Sequence, residues 1–163
     1  MTFRPGVRFA VDLGQARVGV ARTDPAGILA TPVATLRRDT GGDTDMARII
    51  ELAEEAEAIE IVVGLPRSLD GTERTAARAV RRWAVRLAAR AGVPVRLIDE
   101  RLSTVSAHRM LHEAGRAERS HRSVVDQVAA VVILQTALDH ERRAGEPAGL
   151  LVAATATEEA PSP

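Results

Sequence analysis

From Val7 to Leu36 the apolar positions come at strand spacing. Val7 to Leu13 (VRFAVDL) reads as a buried strand, and Val18 to Thr23 and Ile28 to Leu36 follow across short turns containing Gly and Pro. Three strands joined so tightly predict an antiparallel meander. From Thr44 the period lengthens: TDMARIIELAEEAEAIE puts Met46, Ile49, Ile50, Ala53 and Ala56 on one helical face and acids on the other. IVVGLP (61–66) is then a short apolar strand ended by Gly and Pro, and SLDGTERTAARAVRRWAVRLAARAG runs through a loop into a long helix closing at Gly92. PVRLIDE (94–100) gives a fifth strand. Ser103 is placed to cap a helix TVSAHRMLHEAG that stops at Gly115, RAERSHRS is a polar, basic loop, and Ser123 is placed to cap a last helix with Asp126 in its first turn.

The order βββ-α-β-α-β-α-α predicts an α/β fold, a mixed five-stranded sheet whose first three strands are antiparallel and whose later strands return through helices. A chain of 163 residues is long enough for one core and short for two, so residues 1–142 are expected to form a single domain. Residues 143–163, rich in Ala, Pro and acids, read as a disordered tail. No internal repeat is visible.

Composition narrows the function classes. No run approaches the ~20 apolar residues of a membrane span, and Met1 to Phe9 lacks the apolar core of a signal peptide, so a cytoplasmic protein without a membrane partner is expected. With no cysteine, a metal would be held by oxygen or imidazole, which favours Mg²⁺ or Mn²⁺ over structural zinc. The net charge of zero conceals segregation: residues 39–60 carry one basic residue against eight acids, and residues 67–122 carry thirteen against six. Every lysine-or-arginine position is arginine, which genomic base composition acting together with the alanine richness explains first, and which also suits bidentate contact with phosphate.

Three acids stand where packing alone would not place them. Asp12 interrupts an apolar strand just before Gly14, Asp99 and Glu100 end the strand VRLIDE, and Asp126 opens the last helix. Asp126 has an ordinary explanation in the helix dipole and the strand-end pair has one in turn chemistry. Asp12 does not, since an ionised group in an apolar strand costs several kcal/mol unless a partner or metal compensates it. Two strand ends and a helix start can converge at one edge of an α/β sheet. Gathered carboxylates repel unless a divalent cation neutralises them. Such a cluster predicts Mg²⁺ or Mn²⁺, and two ions about 3.5–4 Å apart would activate water for attack on a phosphodiester. Because strand side chains alternate, only one of Asp99 and Glu100 faces that site.

Four segments, VDLGQARVGVA, IVVGLPRSLDGTE, LIDERLSTVSAHRML and VVDQVAAVVILQTAL, in this order, resemble the YqgF/RuvX family, described as pre-16S rRNA nucleases or Holliday-junction resolvase homologues, over roughly residues 6–140. The resemblance implies an RNase H-like fold, with Asp12, Glu100 and Asp126 as the catalytic and metal-binding triad and Arg101, Ser103 and Thr104 supporting the site and the scissile phosphate. It implies an endonuclease on structured nucleic acid, with pre-rRNA as substrate and branched DNA as the alternative, and is compatible with a homodimer. Resolvases of this fold often carry a further acid one turn after the last, where this chain has Ala129, so the resemblance favours RNA.

Other readings compete. A non-cleaving nucleic-acid-binding module would bind in EDTA and release no product. An actin-like phosphotransferase could use DLGQARVG on phosphates but needs two such domains. Arg74, Arg78, Arg82, Arg86 and Arg90 recur every fourth residue opposite Val80, Trp83, Leu87 and Ala91, as a solvated face or a phosphate-tracking ridge. GRAERSHRS is a linker or a substrate loop, and GLPRSLDGTE a turn or a ligand loop. His108 and His112 stand at i, i+4 without a third ligand at matching spacing. With two Phe, one Trp and no Tyr, base stacking has little part in recognition, so binding should be phosphate-led and salt-dependent.

Overall fold

A computed structural model describes residues 3–66, 74–100 and 122–153 of the chain. Strands β1 (Arg8–Leu13), β2 (Arg17–Thr23) and β3 (Ala30–Arg37) form the expected meander. Helix α1 (Thr44–Glu55) leads into β4 (Glu60–Leu65), α2 (Thr75–Ala91) into β5 (Val95–Asp99), and α3 (Arg122–Ala144) into a two-residue strand β6 (Leu150–Leu151). The sheet order is β3-β2-β1-β4-β5-β6, with β4 parallel to both β1 and β5 and the other neighbours antiparallel. The central place of β1 makes its C-terminal end the natural position for a site. Among the described residues no helix is long and apolar enough to cross a membrane.

The two faces of the sheet carry side chains of different size. Phe9, Val11, Val18, Val20, Ile61 and Val63 pack with Met46 and Ile49 of α1 and with Val80, Trp83 and Leu87 of α2. The alternate positions, Ala10, Ala21, Val62 and Ile98, pack with Ala130, Ile133, Leu134 and Ala137 of α3. Bulky residues hold α1 and α2 off the sheet, whereas alanine and glycine let α3 approach closely. The α1 and α2 stripes are those expected from the helical period.

Helix α1 stops at Glu55, short of Glu60, because the chain turns there. The Ala58 N–H donates to the Ala53 carbonyl at 2.9 Å and the Glu57 N–H to that of Glu54 at 3.1 Å, with Glu57 at a φ of 53°. That is a Schellman termination with Glu57 in the left-handed position usually taken by glycine. Gly92 ends α2 with a φ of 74°, as its position predicts.

Three expectations need correction. The sheet has six strands instead of five, because Leu150–Leu151 pairs with Arg96 and Leu97. Residues 143–151, expected to open a disordered tail, are ordered instead: α3 runs to Ala144 and residues 150–151 join the sheet, a segment too short to show a period, and residues 154–163 lie outside the described residues. The described part of α3 starts at Arg122, so Ser123 lies within it and Asp126 lies beyond its first turn; nothing in Arg122 opposes helix, which moves the start upstream.

At the edge opposite the C-terminal end of β1, ion pairs tie the first strand to α3. Arg4 grips Glu141 with Nε to Oε2 at 3.0 Å and Nη2 to Oε1 at 2.9 Å, and reaches Glu60 Oε1 at 3.0 Å. Arg8, 1% exposed, donates from Nη2 to Glu141 Oε2 at 3.0 Å, and Arg96 donates from Nε to Glu60 at 3.2 Å. Burial alone would push the Glu141 carboxyl up, but Arg4 and Arg8 hold it down at about 2.

Candidate active site

Alternation along β1 sends Phe9 and Val11 toward α1 and α2, and Ala10 and Asp12 toward α3. Asp12 stands opposite Gly19 of β2. A Cβ on Gly19 would lie 2.1 Å from the Asp126 carbonyl oxygen, so the missing side chain is what lets α3 cross β2 at Asp126. Glu100, just past β5, shares its parity with Ile98, which packs in the α3-side core. A Cβ on Gly64 would lie 2.8 Å from Glu100 Oε1. Glycines at two strand positions thus leave room for α3 at Asp126 and for the Glu100 side chain.

Asp12 and Glu100 share a side-chain hydrogen bond. Burial pushes the Glu100 carboxyl up to about 8, helped by the charge of Asp12, by that hydrogen bond and by the charge of Asp99. Glu100 is therefore the protonated partner at neutral pH and donates to the Asp12 carboxylate. Burial also raises Asp12; the bond from Glu100 offsets part of the rise and the charge of Asp126 adds to it. Asp126 is held elsewhere: Arg17 Nε donates to its Oδ2 at 2.8 Å, the two side chains being 36% and 22% exposed. The neighbouring Gln127 donates from Nε2 to Thr35 Oγ1 at 3.0 Å, tying this turn of α3 to β3.

The donor set is all carboxylate oxygen, which suits a hard divalent cation, and a cation would take the place of the proton that Asp12 and Glu100 share. Among the described residues no three acidic or histidine side chains yet stand close enough to hold an ion together, and Asp126 is the one turned away, onto Arg17. Asp12 and Glu100 would be the residues nearest to hold such an ion, with Asp126 paired to Arg17 beside them.

Of the acids that the sequence singles out, the structure brings Asp12 and Glu100 together and leaves Asp126 on Arg17, and the side chain that meets Asp12 is that of Glu100 and not Asp99. Arg101, Ser103, Thr104, His108 and His112, with most of both candidate loops, lie outside the described residues. The arginine row along α2 divides: Arg86 and Arg90 turn to Asp43, just before α1, while Arg74, at the start of α2, and Arg78 and Arg82 are exposed and form no ion pair among the described residues. Sequence reasoning missed Arg17. Its signal was available, an arginine two residues before Gly19 and hence on the face of Asp12.

A mixed sheet with an aspartate near the end of its central strand, a second carboxylate after a parallel strand and a third on the covering helix is the RNase H-like arrangement of hydrolytic nucleases. The family model described as RuvX: Holliday junction resolvase matches residues 6–140, and the chain belongs to that family. A Nocardioides protein named "Putative pre-16S rRNA nuclease" is 56% identical over 155 residues, covering 93% of this chain and 99% of its own. A Thermobifida fusca protein of the same name is 54% identical over 160 residues, covering 93% and 99%. Among solved structures, Thermus thermophilus RuvC in complex with Holliday junction substrate superposes with a TM-score of 0.56 at 16% identity, over 88% of this chain and 99% of that one. The last likeness establishes the fold.

Proposed function

We propose that this chain is a divalent-metal-dependent endonuclease whose substrate is the precursor of 16S rRNA and whose catalytic centre is Asp12, Glu100 and Asp126. The observation that carries the reading is the Asp12–Glu100 hydrogen bond at the C-terminal edge of the sheet, two acids sharing one proton beside a third acid. The names of the relatives support the substrate, and the oxygen-only donor set supports Mg²⁺ or Mn²⁺. When bound, such a cation activates water and offsets charge on the leaving oxygen.

The residues of the chain supply the rest. Asp12 stands on a strand with neighbours on both sides, hydrogen-bonded to Glu100. Glu100 would hold a cation only after losing its proton, which would couple occupancy to pH. Asp126 is carried by a helix that Gly19 admits to within contact of the sheet, and it would add a third carboxylate to the site. The exposed Arg74, Arg78 and Arg82 offer phosphate contacts outside the site. Residues 101–104 support the scissile phosphate, as the family resemblance implies.

The test is cleavage of a 16S rRNA precursor fragment in Mn²⁺ by the wild type, lost in Asp12→Asn and in EDTA. Four-way DNA is the second substrate to include, because the matching family model is described as a Holliday junction resolvase.

A further inference from the structure

We propose that Arg17 is a positioning residue that couples nucleic-acid binding to assembly of the acidic site: it holds Asp126 in the free protein, and a backbone phosphate seated between Arg17 and Arg37 draws it away. The inference rests on the reading of Asp12, Glu100 and Asp126 as cation holders and adds what controls the third of them.

Two independent observations carry it. The first is the ion pair itself, Arg17 Nε to Asp126 Oδ2 at 2.8 Å, with no three acids close enough to share an ion among the described residues. While Oδ2 accepts from Arg17, the guanidinium charge beside Asp126 opposes a cation there. The second is the register of β2 and β3, which places Arg17 directly opposite Arg37, on one face of an antiparallel pair. Like charges in that position repel and destabilise the sheet unless an anion lies between them. Asp126 neutralises Arg17 alone, and Arg37 is exposed and forms no ion pair among the described residues.

The space for the anion is present. A groove of ≈ 320 Å³ is lined by Ala16, Arg17, Thr35, Leu36 and Arg37. Arg38 cannot serve it, since its Nη1 donates to the Gly14 carbonyl at 2.6 Å and its Nε faces Asp45 at 3.7 Å. Two guanidinium groups across one strand pair suit a phosphate, which offers acceptors to both at once. The Arg17–Asp126 pair is exposed enough to exchange partners readily. Occupation of the groove would then free Asp126, and by linkage cation binding at Asp126 would strengthen phosphate binding at Arg17. The cation site would be complete only with substrate in place.

Calorimetric titration of Mn²⁺ into nucleic-acid-free protein tests this. Arg17→Gln is expected to bind Mn²⁺ about fivefold more tightly than wild type, the lower end of ordinary coupling. Arg37→Gln removes the same charge from the same groove without freeing Asp126 and is expected to change Mn²⁺ affinity less than twofold. Adding Asp126→Asn to Arg17→Gln is expected to erase the gain. In EDTA, both arginine variants should bind a fluorescein-labelled 20-nucleotide RNA more weakly than wild type, with unchanged thermal midpoints.

Equal or weaker Mn²⁺ binding by Arg17→Gln, or an equal gain in Arg37→Gln, overturns the proposal. If Mn²⁺ binding is lost in Asp12→Asn but indifferent to Arg17, only this inference fails. If wild type and Asp12→Asn bind Mn²⁺ alike, the metal reading fails with it.

Discussion

Glu100 donates a hydrogen bond to Asp12, so an acid just past β5 and one on β1, with β4 between the two strands, share a proton that a cation would displace. The folded-state value of Glu100, about 8, lies above its ordinary 4.5. Its contribution to metal-free stability is present in full below 4.5 and is lost as pH rises through 8. In EDTA the wild-type midpoint should therefore fall between pH 6 and pH 9 relative to Glu100→Gln, which keeps a donor and does not ionise. Parallel curves for the two proteins would contradict the shared proton. Mn²⁺ affinity should rise over the same interval, because binding releases that proton.

Glu141 behaves in the opposite sense. Held down at about 2 by Arg4 and Arg8, it contributes stability that is present above 4.5 and lost as pH falls toward 2. Removing one partner of a buried ion pair leaves the others uncompensated, so Glu141→Gln should cost about 3–5 kcal/mol at pH 7 in urea unfolding. The difference should shrink at pH 3. An unchanged midpoint at pH 7 would show that the network does not tie β1 to α3.

Gly19→Ala and Gly64→Ala should separate two kinds of close approach. At Gly19 the added Cβ meets backbone, the Asp126 carbonyl oxygen at 2.1 Å, and α3 must move. Overpacking of this kind costs roughly 1–3 kcal/mol, and cleavage should fall with it because Asp126 is displaced. At Gly64 the added atom meets the ends of flexible side chains, Ile133 Cδ1 at 2.6 Å and Glu100 Oε1 at 2.8 Å, so stability should suffer less. Circular dichroism melts of the two variants make the comparison.

Glu57→Gly should stabilise the protein by about 1 kcal/mol without altering cleavage, since the left-handed backbone at Glu57 is strained for a side chain and natural for glycine. A destabilised variant would show that the exposed Glu57 side chain makes a contact that outweighs the strain.

The strands, the two stripes of α1 and α2 and the three acids were legible because each rests on local period or on a charge out of place. The face of Asp99 or Glu100 was not, since alternation gives opposite faces without saying which one α3 covers. That was decided by Ile98, whose partners lie on a distant helix. Arg8 posed the same question as Asp12, a charge inside an apolar strand, and has a different answer: its partner Glu141 is 133 residues away, beyond any local pattern. Arg17 sat within the segment that carries the family resemblance, but its bond to Asp126 spans 109 residues and only the packing of α3 on Gly19 brings the two together. β6 has too few residues to show a period.

The most direct test of the central claim is one cleavage assay. Wild type and Asp12→Asn are incubated with a 16S rRNA precursor fragment, and in parallel with a four-way DNA junction, in Mn²⁺ and in EDTA. The account predicts that wild type cuts the RNA in Mn²⁺ only and that Asp12→Asn, folded to the same thermal midpoint, cuts neither substrate. An Asp12→Asn protein that cleaves as wild type does, or wild-type cleavage that persists in EDTA, would contradict it.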